Sequence, residues 1–217
     1  MPNGKVTATL IVLATSAAIF AVMTASEPRM RNVSHEFFLG FVVSVIFYFI
    51  VVWFPAQQRR ARIHRNFQKH YDSFKLSCIS IFLIYSKSQS YKPEAMLLDR
   101  EEFRRYFSIY ERGDQNRWHM VANALSKNTY PLRDILNELE ILREEILYVL
   151  NNIDVHDEEV FKFLKRFSHA IFKIKHVDPE YDDIKSLCGF LWEIFTGWSF
   201  IEGYRKEDIV QSNIEKI

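Results

Sequence analysis

The stretch FFLGFVVSVIFYFIVVWF, residues 37–54, decides how this chain is organised. Asp, Glu, Lys and Arg are all absent between Glu36 and Arg59. A helix needs about 20 apolar residues to cross the hydrocarbon core of a bilayer. The stretch offers no polar helical face for water to contact, which argues against a soluble amphipathic helix. We therefore predict a transmembrane helix over about residues 37–55.

A second uncharged stretch lies nearer the N-terminus, between Lys5 and Glu27. A cleaved signal peptide is one interpretation, because residues 24–26 (Thr-Ala-Ser) resemble a small-residue cleavage site. About 20 apolar residues is long for a signal peptide, however. We therefore predict a retained helix over about residues 6–26, so that residues 1–58 form a two-helix transmembrane hairpin.

Basic residues predict the orientation of this hairpin. Five of them follow the second span before the first acidic residue, Asp72: Arg59, Arg60, Arg62, Arg65 and Lys69. The connecting loop, residues 27–36, has two arginines balanced by two acids. Because basic loops stay in the cytoplasm, we expect both termini to be cytoplasmic. The same five residues should attract anionic lipid, so the bilayer is one expected partner.

Small residues share one face of each predicted span. In the first span these residues are Ala14, Ala17, Ala18, Ala21 and Ala25. In the second span Gly40 and Ser44 form a small-xxx-small pair. Small faces let helix backbones approach closely in lipid. Two outcomes stay open, namely packing within one hairpin and self-association between chains as a homo-oligomer.

Residues 59–217 are predicted to form a cytoplasmic helical bundle, so the fold class is all-α. We see no alternating strand pattern in them. The clearest signal is an apolar repeat at 3–4 spacing from Leu132 to Ile153, after Pro131 at the first helical position. Leu136, Ile141, Leu147 and Leu150 widen its apolar face, which favours a bundle core over a free two-stranded coiled coil.

The other helices of this part follow from caps and spacing. A helix from residue 59 to about 88 would continue from the membrane. Asp99 with Glu102 resembles a capping box that opens a helix through Tyr110, with Gly113 after it. A short helix follows around Trp118, another starts at residue 154 or 156, and Asp178-Pro179 opens the last long one. The residues from Gly203 onward are polar and are predicted to be frayed.

Composition and motifs point away from an enzyme. The formal net charge is +1, which excludes a strongly basic nucleic-acid binder, so we expect no direct nucleic-acid binding. The sequence has no phosphate-binding glycine loop, nucleophile elbow or metalloprotease motif. Cys78 and Cys188 lie in apolar stretches without zinc-site spacing and are predicted to be core residues. We expect no catalytic, cofactor or metal site.

Three weaker patterns remain. His156-Asp157 could contribute to a metal site only with ligands from facing helices, and an acidic helix start explains it better. The spacings Arg65 to His70 and Arg59 to His64 have the R-x4-H form of small helical ribonuclease domains, in a stretch where Arg and His are abundant. Trp118-His119 is interpreted as a packed turn rather than a nucleic-acid site.

The layout resembles the two-transmembrane effectors of bacterial anti-phage defence systems, including those associated with retrons. The shared features are the hairpin at residues 6–54, the Arg59-Arg60-Ala61-Arg62 stretch after it, and a Phe-rich helical domain. The resemblance covers the chain as an organisation and includes no short motif. It implies location in the bacterial inner membrane, control by a protein or ribonucleoprotein partner, and membrane permeabilisation that aborts infection.

Three functions are therefore open from the sequence. The first is a membrane-acting effector that disrupts or depolarises the inner membrane when its partner releases it. The second is a passive membrane-anchored helical interaction module. The third is a membrane-tethered helical ribonuclease that uses Arg65 and His70.

Overall fold

A computed structural model describes residues 15, 28–86, 92–112, 115–174, 181–199, 203–205 and 207–217. The described part is mostly helical, which confirms the all-α prediction at that level. The chain divides into two compact units, residues 1–62 and 63–217. The predicted first span, residues 6–26, lies outside the described residues except for Thr15.

The first unit contains one continuous helical run. Helix α1 covers Pro28–Tyr48, a π-helical turn covers Phe49–Trp53, and helix α2 covers Phe54–Tyr85 and extends into the second unit. One helix, Glu36–Tyr85, is long and apolar enough to cross a membrane, and its most apolar window has no buried residue. Two predicted bounds were wrong: residues 28–36 are helical rather than a loop, and the helix continues past residue 55. Pro28 suits a first helical position because it lacks an N–H group to pair.

The second unit is built from short and long helices around an aromatic core. After α2 come the 3-10 helix Glu94–Leu98, α3 (Arg100–Phe107), α4 (Arg117–Lys127), α5 (Thr129–Asn152), α6 (Glu158–Ile174), α7 (Tyr181–Thr196) and α8 (Ile209–Glu215). Phe82 lies at the centre of the core, with ring centroids 5.1 Å from Trp118, 5.4 Å from Phe195, 6.1 Å from Phe107 and 6.2 Å from Phe103.

The apolar repeat of α5 is confirmed. Its predicted seam is buried throughout: Leu132, Ile135, Leu139, Leu142, Ile146, Val149 and Ile153. The start was placed two residues late, because Asn128 caps the helix by accepting a hydrogen bond from the Tyr130 backbone N–H at 3.0 Å. Ile141, expected to widen the apolar face, is exposed. Helix α6 packs against α5, and its predicted apolar positions Val160, Leu164, Phe167 and Ile171 are buried.

The capping box of α3 is confirmed at its N-terminal half, since the Asp99 carboxylate accepts from the Glu102 backbone N–H at 2.9 Å. The end of this helix was wrong. Helix α3 stops at Phe107, and Tyr110–Arg112 (β1) pairs antiparallel with Gln115–Asn116 (β2). Residues 113 and 114, between the strands, lie outside the described part, as do Asp178 and Pro179.

The C-terminal segment was predicted to be frayed, and this was wrong. Trp198–Ser199 (β3) pairs antiparallel with Gly203–Tyr204 (β4), and α8 follows with Val210, Ile214 and Ile217 buried. Asp208 caps α8 by accepting from the backbone N–H groups of Val210 and Gln211. A short helix can be stable when tertiary burial and a cap compensate for its length.

Candidate functional site

The apolar span is exposed on all sides within the first unit. Phe37 is 68% exposed, Phe47 64% and Ile50 63%, although these side chains project in different directions around the helix. In water such a surface would carry a large hydrophobic cost, at roughly 25 cal/mol per Å² of apolar area. Exposure of this kind on an uncharged 37–54 stretch is typical of a lipid-facing helix.

The small pair of this span is open. Ser44 Oγ donates a hydrogen bond to the Gly40 carbonyl oxygen at 2.8 Å, so its hydroxyl is satisfied within the helix. A Cβ built on Gly40 would meet nothing within 4 Å in the described part of the chain. The surface at Gly40 and Ser44 therefore has room for another helix to approach. The alanine face, Ala14, Ala17, Ala18, Ala21 and Ala25, lies outside the described residues.

A π-helical turn interrupts the span at Phe49–Trp53, where the Phe54 backbone N–H donates to the Phe49 carbonyl oxygen. The Phe49 ring lies edge-on to Tyr48 and to Trp53, with centroid distances of 6.1 and 5.6 Å. Such turns widen a helix locally and are frequent at functional sites. No sequence signal predicted this turn, because it differs from its surroundings only in backbone hydrogen bonding.

The basic residues after the span lie on the solvent face of α2. Arg62, Arg65 and Lys69 are exposed and recur at i, i+3 and i+7, which places them on one face. Ile63, Phe67 and Tyr71 are buried on the opposite face. In the described part of the chain these three basic residues form no ion pair, whereas Arg59 and Arg60 do have interactions.

The ribonuclease pattern is split by the helix. At about 100° per residue, positions five apart project about 140° from each other, which separates Arg65 from His70 and Arg59 from His64. Arg65 is exposed, while His70 Nε2 lies 4.0 Å from Glu145 Oε2 of α5. The same carboxylate accepts a hydrogen bond from Asn66 Nδ2 at 3.0 Å. His70 thus contributes to a contact between two helices.

The other chemical candidates have structural roles. The Asp157 carboxylate caps α6 by accepting from the backbone N–H groups of Glu159 and Val160, and His156 Nδ1 lies 3.4 Å from Asp154. No group of three His, Cys, Asp or Glu side chains that could hold a metal ion occurs among the described residues. Trp118 is a helical core residue instead of part of a turn, 5.2 Å from Trp192 by ring centroids.

Both thiols are buried, as predicted. Desolvation raises the pKa of Cys188 to about 12 and holds the pKa of Cys78 well above its usual value. A thiol becomes a good nucleophile or metal ligand only as the thiolate. At neutral pH these two cysteines therefore act as small apolar core residues.

One polar cluster was missed by the sequence. The Asp208 carboxylate accepts from the Tyr71 hydroxyl at 3.0 Å and from Lys75 Nζ at 3.1 Å, in addition to its capping bonds. Tyr71 and Lys75 are both buried on α2. Burial, followed by the nearby Asp208 charge, holds the pKa of the Tyr71 hydroxyl well above its usual value, so it stays a donor. The cluster fastens the C-terminal segment to α2. An Asp two residues before Val210, with Ile214 four residues further on, is the signal that could have revealed it.

Comparison of the chain with protein-family models, with curated proteins and with solved structures found no match.

Proposed function

We propose that this protein is a membrane-acting effector of a bacterial antiviral system of the retron-associated type. In this proposal residues 6–26 and 37–55 form a two-span hairpin in the inner membrane, with both termini in the cytoplasm. A protein or ribonucleoprotein partner holds the hairpin inactive, and its release leads to loss of the membrane potential and abortive infection.

The open small-residue surface at Gly40 and Ser44 carries this proposal. A passive anchor needs only an apolar exterior, and bulky side chains would serve that purpose as well. The pair leaves the helix backbone uncovered, with space within 4 Å of the position where a Cβ of residue 40 would lie. Helix association in lipid depends on such close packing, because lipid tails are as apolar as the side chains themselves.

The basic face of α2 supports the proposed orientation. Each Lys or Arg near an anionic membrane surface contributes about 1 kcal/mol of attraction. Arg62, Arg65 and Lys69 form no ion pair within the described part of the chain, so their charge is available to lipid headgroups.

An effector also needs two states of similar free energy. A partner can shift such an equilibrium only by binding one state more tightly than the other. We propose that the bundle of residues 59–217 supplies the partner-binding surface and that the hairpin supplies the associating surface. Mutations in the two parts should then separate toxicity from its control.

The test is expression of the chain alone and with its neighbouring genes, with growth and membrane potential as readouts. Gly40→Leu and Ser44→Leu should abolish depolarisation at wild-type protein level and membrane yield, because both keep the span apolar. Val42→Leu, which projects from the opposite face, is the matched control and should depolarise like wild type. Ala17→Leu and Ala21→Leu, with Phe20→Leu as control, test the first span in the same way.

Two further variants separate the enzymatic interpretation. Arg65→Ala and His70→Ala should leave toxicity intact if the membrane is the target. Toxicity that survives Gly40→Leu but is lost in Arg65→Ala or His70→Ala would replace the membrane mechanism with a nuclease. A chain that never depolarises cells under any condition would instead be a passive anchor.

A further inference from the structure

Three arginines line one cavity in the second unit. The cavity has a volume of about 420 Å³. Arg100 and Arg104 come from α3, and Arg205 directly follows β4. Its remaining walls are Asp99, Glu101, Thr196 and Tyr204. None of these residues belongs to the membrane span or to the basic face of α2.

The positive charges of this cavity are incompletely balanced. The Asp99 carboxylate is used to cap α3 through the Glu102 backbone N–H, and the Glu101 side chain is exposed to solvent. Within the described part of the chain, neither Arg100 nor Arg104 forms an ion pair. Guanidinium groups brought together in a partly enclosed space repel each other unless an anion lies between them.

Arg100 supplies the sharpest observation. Its Nη1 atom is buried, and among the described residues no group accepts a hydrogen bond from it. A buried donor on a charged group that is left unsatisfied is costly. The guanidinium reaches its place only because residue 197 is glycine: a Cβ there would collide with Arg100 Nη1, and the φ of Gly197 is +66°. The backbone is thus shaped to admit a guanidinium whose donor has no acceptor.

Tyr204 adds a second kind of surface to the cavity. The Arg104 guanidinium carbon lies 4.3 Å from the centroid of the Tyr204 ring, so this arginine is held in place by a cation–π contact. The Tyr204 side chain is nevertheless 47% exposed. An aromatic ring beside fixed guanidinium groups is suited to a ligand that joins an anion to a planar ring.

We propose that this cavity binds the phosphate groups of a small soluble ligand. Guanidinium groups recognise phosphate through paired N–H···O hydrogen bonds, which a buried Arg100 donor and a fixed Arg104 can supply. The volume lies within the range of small-molecule sites, roughly 300–1,000 Å³. Free polyphosphate and the phosphate chain of a nucleotide share this chemistry. The inference goes beyond the proposed function and does not depend on whether the hairpin damages membranes.

The test is calorimetric titration of the full chain, in detergent micelles, with inorganic pyrophosphate, ATP and adenosine. Pyrophosphate and ATP should bind, and adenosine should not. ATP binding more tightly than pyrophosphate would identify a nucleotide as the ligand class, with Tyr204 contacting the base. Equal affinities would identify the phosphates alone. Both results support the site.

Variants locate the binding. Arg104→Gln and Arg205→Gln should each weaken pyrophosphate binding about tenfold or more, because each removes a charge-assisted hydrogen bond. Arg133→Gln, an exposed arginine on α5, is the matched control and should bind like wild type. Far-UV circular dichroism checks that each variant is folded. Absence of pyrophosphate and ATP binding at millimolar concentration, or binding unchanged in the Arg104→Gln/Arg205→Gln double variant, would overturn the proposal.

Discussion

The span at residues 37–54 and the following part of α2, residues 63–82, use similar residues in opposite ways. Both are helical and rich in Phe and Ile. In the span, apolar side chains are exposed around the whole helix. In the second part, Ile63, Phe67, Phe74 and Phe82 are buried along one face, while the opposite face is basic or polar. Periodicity therefore tells which solvent a helix meets: one-sided apolar residues need a protein core, and all-round apolar residues need lipid.

The largest expected effect concerns the aromatic core. Phe82→Ala removes a ring that is fully buried among four other rings, and it should lower the unfolding free energy of the second unit by about 3–5 kcal/mol. Phe47→Ala, in the span, removes an exposed ring and should leave that free energy unchanged. Denaturant titration in detergent, followed by near-UV circular dichroism, measures both. Equal losses would break the distinction between the two regions.

A matched pair of exposed isoleucines sharpens the comparison. Ile46 in the span is 53% exposed and Ile84 near the end of α2 is 70% exposed. Ile46→Arg should oppose membrane insertion by about 3 kcal/mol, because it places a charge near the centre of the span. Ile84→Arg should insert and fold like wild type, because its side chain meets water. The measurement is the yield of carbonate-resistant membrane protein. Comparable yields would show that residues 37–54 do not face lipid.

The polar cluster at the end of the chain gives the next effect. Asp208→Asn keeps the size of the side chain but leaves the buried Lys75 without its counter-charge, so unfolding should become easier by about 2 kcal/mol. The matched control is Glu158→Gln, which breaks the exposed pair with Lys162 and should leave stability unchanged. Thermal unfolding of the two variants compares them. No difference would mean that the Tyr71–Lys75–Asp208 cluster does not hold the C-terminal segment.

The smallest effect is a pH dependence. The folded pKa of Cys188 is raised to about 12, whereas an unfolded thiol ionises near about 8.5. Its contribution is complete below about pH 8.5 and is lost as the pH rises toward 12, at about 1.4 kcal/mol per pH unit. Cys188→Ala should flatten this alkaline slope, and denaturant titrations between pH 8 and pH 10 would detect it. An unchanged slope would indicate a thiol that is accessible to solvent.

The sequence predicted those parts of the fold that repeat. The 3–4 spacing of Leu139, Leu142 and Ile146 located α5, since a long amphipathic face has one low-energy placement. Helix α8 was missed because it is short, and its stability comes from Asp208 bonding to residues more than 130 positions earlier. Such long-range pairing has no local pattern in the sequence.

The candidate site divides in the same way. The apolar span and its basic flank were predictable, because hydropathy and charge are local properties of residues 37–69. The π-helical turn at Phe49–Trp53 and the cavity of Arg100, Arg104 and Arg205 were not. The turn is a backbone choice without a side-chain signature, and the cavity joins residues about a hundred positions apart.

The central claim is that residues 37–54 cross the bilayer, and labelling of single cysteines on its two sides tests it most directly. The background variant carries Cys78→Ser and Cys188→Ser. Glu36→Cys and Gln58→Cys are then placed singly at either end of the span and treated with a membrane-impermeant maleimide. We predict that intact spheroplasts label residue 36 and that residue 58 becomes labelled only after the membrane is opened. Labelling of both positions in intact spheroplasts, or of neither, would contradict the account.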